Sequence, residues 1–151
     1  MSFQNPDDDA LRALLERTRT IAVVGLSPQP ARPSFRVAQA MQRFGFRIVP
    51  VRPLVDEVLG EKAYASLADI PFAVDLVDVF RAAEHVPAIV EQCVALHSRH
   101  WPAPTAQHFP AALWLQEGVV HEAAAERARA AGMTVVMDRC LWKEYVRLFA
   151  T

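Results

Sequence analysis

This sequence predicts an α/β fold, a doubly wound sheet of five parallel strands with helices on both faces. Three observations carry that reading. Apolar runs of strand length recur along the chain, helix-length amphipathic segments separate them, and glycines or prolines punctuate the joins. The run Ile21-Ala22-Val23-Val24 is continuous rather than alternating, as a parallel strand buried on both faces should be. At 151 residues the chain suits one domain with one core.

Residues 7–19 carry Leu11, Leu14 and Leu15 at helical spacing. Asp7, Asp8 and Asp9 stand where acids favour a helix's positive end. This N-terminal helix, within residues 1–19, leads into the first strand, 21–24. A second helix opens at Pro33, carries Val37, Ala40, Met41 and Phe44 as its apolar face, and stops at Gly45. The second strand is 47–51, ended by Pro53. Residues 54–64 show no period and read as an irregular excursion with an extended edge segment. A third strand follows at 75–80, then a helix at 87–96 that begins as early as Ala83. Strand four is 111–115, the alanine-rich helix 122–131 ends at Gly132, strand five is 134–137, and a last helix covers 141–149. Between the 87–96 helix and strand four, residues 97–110 hold three prolines and three histidines in a connection long for such a fold.

Composition narrows the function. Apolar residues make up 52% and charged residues 22%, a soluble globular balance, and the net charge of -1 points to neither nucleic acid nor an acidic membrane. No apolar run approaches the roughly 18 residues that span a bilayer. The acidic start is unlike a secretory leader, and Cys93 and Cys140 are too few for a disulfide framework or a cysteine zinc site. A reduced, cytoplasmic protein is expected. His97, His100 and His108 match no zinc spacing, so no metal site is expected. Trp101, Trp114 and Trp142 read as packing residues.

Chemistry should gather where the strands end. In doubly wound sheets ligands bind beyond the carboxyl ends of the strands, where helix N-termini present free N–H groups suited to phosphate. The first strand delivers Gly25, Leu26, Ser27 and Pro28 there, with Arg32 and Ser34 at the next helix. The second delivers Arg52 after Pro50 and Val51, and before Pro53; the third delivers Phe80 and Arg81. From the fourth come Gln116 and Gly118, and from the fifth Asp138, Arg139 and Cys140. Gly25 lacks the partner glycines of a dinucleotide fingerprint. Arg52 stands where an NAD site places an acid for the ribose hydroxyls, so a ribose phosphate, as in NADP or coenzyme A, is the better match. Plainer readings stay open: Gly25 as a tight turn, Ser27 as a helix cap, Arg52 as a solvated strand end, Cys140 as an inert thiol.

Taken together, several stretches resemble the small stand-alone coenzyme A-binding proteins. Their Rossmann-like domain is related to the N-terminal domain of the succinyl-CoA synthetase alpha subunit. The stretches are Ile21-Ala22-Val23-Val24-Gly25-Leu26-Ser27-Pro28, Arg32-Pro33-Ser34, Ile48-Val49-Pro50-Val51-Arg52-Pro53, Asp75-Leu76-Val77-Asp78-Val79-Phe80-Arg81, Leu113-Trp114-Leu115-Gln116-Glu117-Gly118-Val119 and Val136-Met137-Asp138-Arg139-Cys140. The resemblance implies that residues 25–34 hold the CoA pyrophosphate and that 50–53 lie by the adenosine. It further implies that Phe80 and Arg81 line the cleft and that 116–118 close it; the cleft near Phe80, Gln116 and Cys140 is then expected to receive the pantetheine arm. Arg52 replaces the family's usual asparagine, and Trp142 stands where a lysine is usual, with Lys143 one step on. Residues 97–110 look inserted.

The expectation is therefore a single-domain binder of coenzyme A or an acyl-CoA, acting as a carrier, sensor or partner module without its own chemistry. Two readings stand beside it: an NADP-linked oxidoreductase, and a redox module in which Cys140 engages CoA. Nucleic acid and membrane are not expected partners, and a homodimer is left open.

Overall fold

The computed structural model describes residues 3–99 and 108–149. Helix α1 (Asp8–Arg17) is capped by Asp7, whose carboxylate accepts the Ala10 N–H at 2.9 Å, and it buries Leu11, Leu14 and Leu15. It stops at Arg17, before the residue 19 that periodicity suggested. The Arg19 and Thr20 N–H groups are bound instead by the Asp75 carboxylate, at 2.9 and 2.8 Å. That carboxylate ties the start of β1 (Thr20–Val24) to the start of β5 (Leu76–Val79).

Helix α2 (Pro33–Arg43) ends in a Schellman turn. The Phe46 N–H reaches the Met41 carbonyl at 3.2 Å and the Gly45 N–H reaches Gln42 at 3.0 Å, a closure that sets Gly45 at φ 106. The chain then enters β2 (Arg47–Val51). The excursion expected at 54–64 resolves into a small antiparallel pair, β3 (Glu57–Val58) and β4 (Glu61–Lys62). After it, Tyr64 lies parallel to Val51, donating to the Pro50 carbonyl at 3.0 Å and accepting from the Arg52 N–H at 2.8 Å. That is the extended edge segment the sequence suggested.

Beyond β5 come α3 (Val86–His97), β6 (Ala112–Leu115), α4 (Glu122–Ala130), β7 (Thr134–Val136) and α5 (Leu141–Phe149). Part of the 97–110 connection, with His100 and Trp101, lies outside the described residues. The main sheet has five parallel strands in the order β2-β1-β5-β6-β7. One layer of the core joins α1, α2 and α5 to the sheet, the other α3 and α4. Trp114 is fully buried in the first layer and donates its indole N–H to the Arg139 carbonyl at 2.8 Å. Among the described residues no helix is long and apolar enough to cross a membrane.

The N-terminal arm crosses the outer edge of the sheet beyond β7. The Asn5 carboxamide accepts the Met137 N–H at 2.7 Å and donates to the Met137 carbonyl at 3.0 Å, as a neighbouring strand would. Phe3 is buried beside it, with the Arg129 guanidinium 5.0 Å above its ring. Replacing Asn5 with alanine removes the partners of both the N–H and the C=O of Met137, in part-buried bonds. Asn5→Ala should cost about 1–3 kcal/mol, read by urea unfolding.

Candidate functional site

The strand order places a topological switch point between β1 and β5: from β1 the chain moves outward to β2, then crosses back to β5. In open α/β sheets this is where a crevice forms beyond the strand ends. Gly25 makes it. Directly after β1 it adopts φ 85, and a Cβ there would lie 3.0 Å from Arg81 Cδ and 3.2 Å from the Phe80 carbonyl. Only a residue without a side chain lets the β1 and β5 loops approach this closely. The Gly25 N–H donates to the Val51 carbonyl at 2.9 Å, and the Phe80 N–H to Val24 at 2.9 Å, so all three strand ends are joined.

From Gly25 the chain enters a stiff loop. The Ser27 N–H donates to Ser34 Oγ at 3.0 Å, and the Gln29 N–H to Ser27 Oγ at 3.1 Å; both serines are buried. The loop ends at α2, whose N-terminus differs from most of the others. Asp7 caps α1, the His121 imidazole caps α4 through the Ala124 N–H, and Gln116 accepts the first N–H of α5, from Leu141. The N-cap of α2 is Arg32, with no side-chain hydrogen bond, and no acid lies in its first turn. Its leading N–H groups and the positive end of its dipole therefore face the crevice without a negative partner from a side chain.

The crevice has two lobes. The first, about 630 Å³, lies among Ser27, Arg32, Ser34, Arg52 and the lip formed by Leu54 and Val55. The second, about 510 Å³, runs between β2, β5 and α3, past Val51, Ser66, Leu67, Arg81, Ile89 and Gln92. Gly25, Arg52, Pro53 and Phe80 border both. Three arginines line these lobes and no acid does. The eight ion pairs found among the described residues involve none of Arg32, Arg52 and Arg81. The Arg52 guanidinium makes one long contact, 3.5 Å to the Gly25 carbonyl. Concentrated uncompensated cations around an uncapped helix start suit a polyanion.

The structure thus brings together Gly25, Ser27, Pro28, Arg32, Ser34, Val51, Arg52, Pro53, Phe80 and Arg81. Leu26 and Pro50 are buried behind the lobes, one in the core and one in β2. Gln116, Gly118 and Cys140 stand apart, at the ends of β6 and β7. There the Gln116 oxygen is engaged by Leu141, the Gly118 N–H by Asp138 at 2.8 Å, and Cys140 is buried under α5. Lys143 is paired with Glu117 at 3.1 Å. Sequence reasoning missed the second lobe's far wall. Ile89 and Gln92 sit inside a helix whose sequence reads as ordinary packing, and only the crossover brings them to the crevice. Cys93 is core, with burial pushing its thiol up to about 12. Among the described residues no group of three or more metal-ligating side chains converges.

Fold and crevice together define a Rossmann-like α/β domain with a cationic cleft at its switch point. The chain belongs to the CoA binding domain family, whose pattern matches residues 19–146. It is 40% identical over 139 residues to the Bacillus subtilis protein YneT, covering 92% of this chain and 94% of that one. A solved Thermus thermophilus structure superposes with a TM-score of 0.84 at 36% identity, covering 95% of this chain and all of the other. The chain is also 34% identical over 77 residues to the ADP-forming acetate–CoA ligase II of Archaeoglobus fulgidus. That stretch is half of this chain and 11% of the ligase.

One ionisable group is buried within the sheet. Asp78, in β5 between Val23 and Trp114, is 1% exposed and one of its carboxyl oxygens has no hydrogen bond among the described residues. Burial alone pushes its pKa well above the ordinary carboxylate value. A folded-state pKa raised in this way leaves no penalty at pH below the unfolded value. Stability then falls as pH rises through the interval up to the folded value, at most about 1.4 kcal/mol per pH unit. Asp78→Asn should therefore gain stability relative to the parent between pH 4.5 and 7.5. Paired urea titrations at the two pH values measure that difference.

Proposed function

We propose that this chain binds coenzyme A or an acyl-CoA in the switch-point cleft and serves as a carrier, sensor or partner module. The observation that carries the reading is the trio Arg32, Arg52 and Arg81, without ion partners, around the uncapped start of α2 in a member of the CoA binding domain family. Coenzyme A brings a pyrophosphate and a 3′-phosphate, and these call for two separated groups of donors. The pyrophosphate is assigned to residues 25–34: Gly25 for close backbone approach, Ser27 and Ser34 for hydroxyls, and Arg32 with the α2 N–H groups for charge. The 3′-phosphate is assigned to Arg52. Pro28 and Pro53 stiffen the two loops, which lowers the entropy lost on binding.

Phe80 and Arg81 line the passage between the lobes, and Val51 borders the second. The pantetheine arm is assigned a course toward the ends of β6 and β7, where Gln116, Gly118 and Cys140 lie. Leu26 and Pro50 support the loops from behind. The reading assigns no catalytic step to the chain. Similarity to one stretch of an acetate–CoA ligase supports the ligand class, since that enzyme's name includes CoA, and the rest of the ligase has no counterpart in the match.

Calorimetric titration with CoA, dephospho-CoA, NADP and NAD tests the proposal. Micromolar CoA binding that weakens for dephospho-CoA is expected. Arg52→Ala should cost about 1.5–3 kcal/mol with CoA, typical of a hydrogen bond to a charged group. A loss smaller than about threefold, under roughly 0.7 kcal/mol, would remove the phosphate role from Arg52. Binding of NADP with CoA silent would transfer the cleft to a nicotinamide cofactor.

A further inference from the structure

Leu54 stands at the lip of the first lobe in a conformation that nothing inside the protein repays. Its φ is 63 and its side chain is fully exposed, at 104% relative accessibility. Left-handed backbone brings an L residue's Cβ against its own carbonyl, so glycine and asparagine are the ordinary occupants. Pro53 and Leu54 form a turn, and Pro followed by a positive φ is the arrangement that most favours glycine or asparagine at the second place. Two other non-glycine residues share a positive φ among the described residues. Leu59 packs on the core and Asp138 accepts the Gly118 N–H, so each recovers something. Leu54 combines backbone strain with an apolar side chain held wholly in water.

We infer that Leu54 is a ligand-contact residue whose side chain packs against the nucleobase of the bound nucleotide. The inference rests on the coenzyme A reading and deepens it. Arg52, two residues earlier, is the group assigned to the ribose phosphate. The base leaves the same ribose ring, so it lies within reach of the next side chains along the lip. Those side chains are Leu54 and Val55, an apolar pair on the lip, facing a lobe lined by arginine, serine and proline with Phe80 at its border. A purine presents a flat, weakly hydrated face, and covering the exposed leucine with it returns the hydrophobic free energy the free protein forgoes. Strain retained at a ligand clamp is the recurring pattern for such outliers. Pro53 holds the turn in place, so the side chain is set before the ligand arrives.

The test uses two halves of the ligand: adenosine 3′,5′-bisphosphate, which carries the base, and 4′-phosphopantetheine, which does not. Leu54→Asn suits the backbone and should melt no lower than wild type. It should bind the bisphosphate at least about fivefold more weakly, about 1 kcal/mol, and phosphopantetheine unchanged. Leu54→Met, which keeps an apolar side chain, should restore most of the loss. If wild type binds the bisphosphate and Leu54→Asn binds it equally well, the contact is overturned while the coenzyme A reading stands. An equal loss for both fragments also overturns it, because the effect would not be on the base. If wild type binds neither fragment nor CoA, the underlying reading itself fails.

Discussion

The close passage of β1 past β5 at Gly25 is the constraint from which the arginine-lined crevice of this molecule follows. A side chain at that position would press on the Phe80 carbonyl and the Arg81 stem, and the backbone there is already left-handed. With the two strand ends in contact, the loop after β1 has one short course, over the switch point and into α2. That course aims the uncapped start of α2 at the crevice and brings Arg52 and Arg81 in from the neighbouring strands. The arginines gather because three strand ends are tied together by the Gly25–Val51 and Phe80–Val24 bonds. They need no interaction with one another. Their mutual repulsion is then borne by a fold whose stability lies in the two apolar layers below.

Much of the architecture was legible in the sequence because its strands are buried on both faces and its helices on one. Those two patterns look different even over four residues. The parallel strands and the final helix, 141–149, came out at or within a residue or two of their expected bounds. The discrepancies have local causes. Helix α1 ends early because Asp75, distant in sequence, binds the N–H groups that would have continued it. The short hairpin β3–β4 escaped notice because two-residue strands carry too little pattern to register.

The site was only partly legible, and the division is instructive. Counting what each strand delivers to one edge placed residues from all five strands in a single list. The structure separates them into two neighbourhoods. Around the β1, β2 and β5 ends the Arg32, Arg52 and Arg81 side chains form no ion pair among the described residues, whereas the polar groups at the β6 and β7 ends are used internally: Gln116 accepts from Leu141, Asp138 accepts from Gly118, and Trp114 donates to Arg139. A sequence shows which polar groups reach an edge; it does not show which are already satisfied there. That distinction makes the arginine cleft more informative than the larger collection, since three cations converge there on one crevice with no acid lining it.

Both margins of the sheet carry a cover that is not itself a full strand. On one side the Asn5 carboxamide occupies the Met137 peptide group, and on the other Tyr64 occupies Pro50 and Arg52, with Pro50 having no N–H to offer. Exposed strand margins are templates on which other chains polymerise, and these covers blunt both. Any assembly this domain enters is thereby steered away from continuous intermolecular sheets.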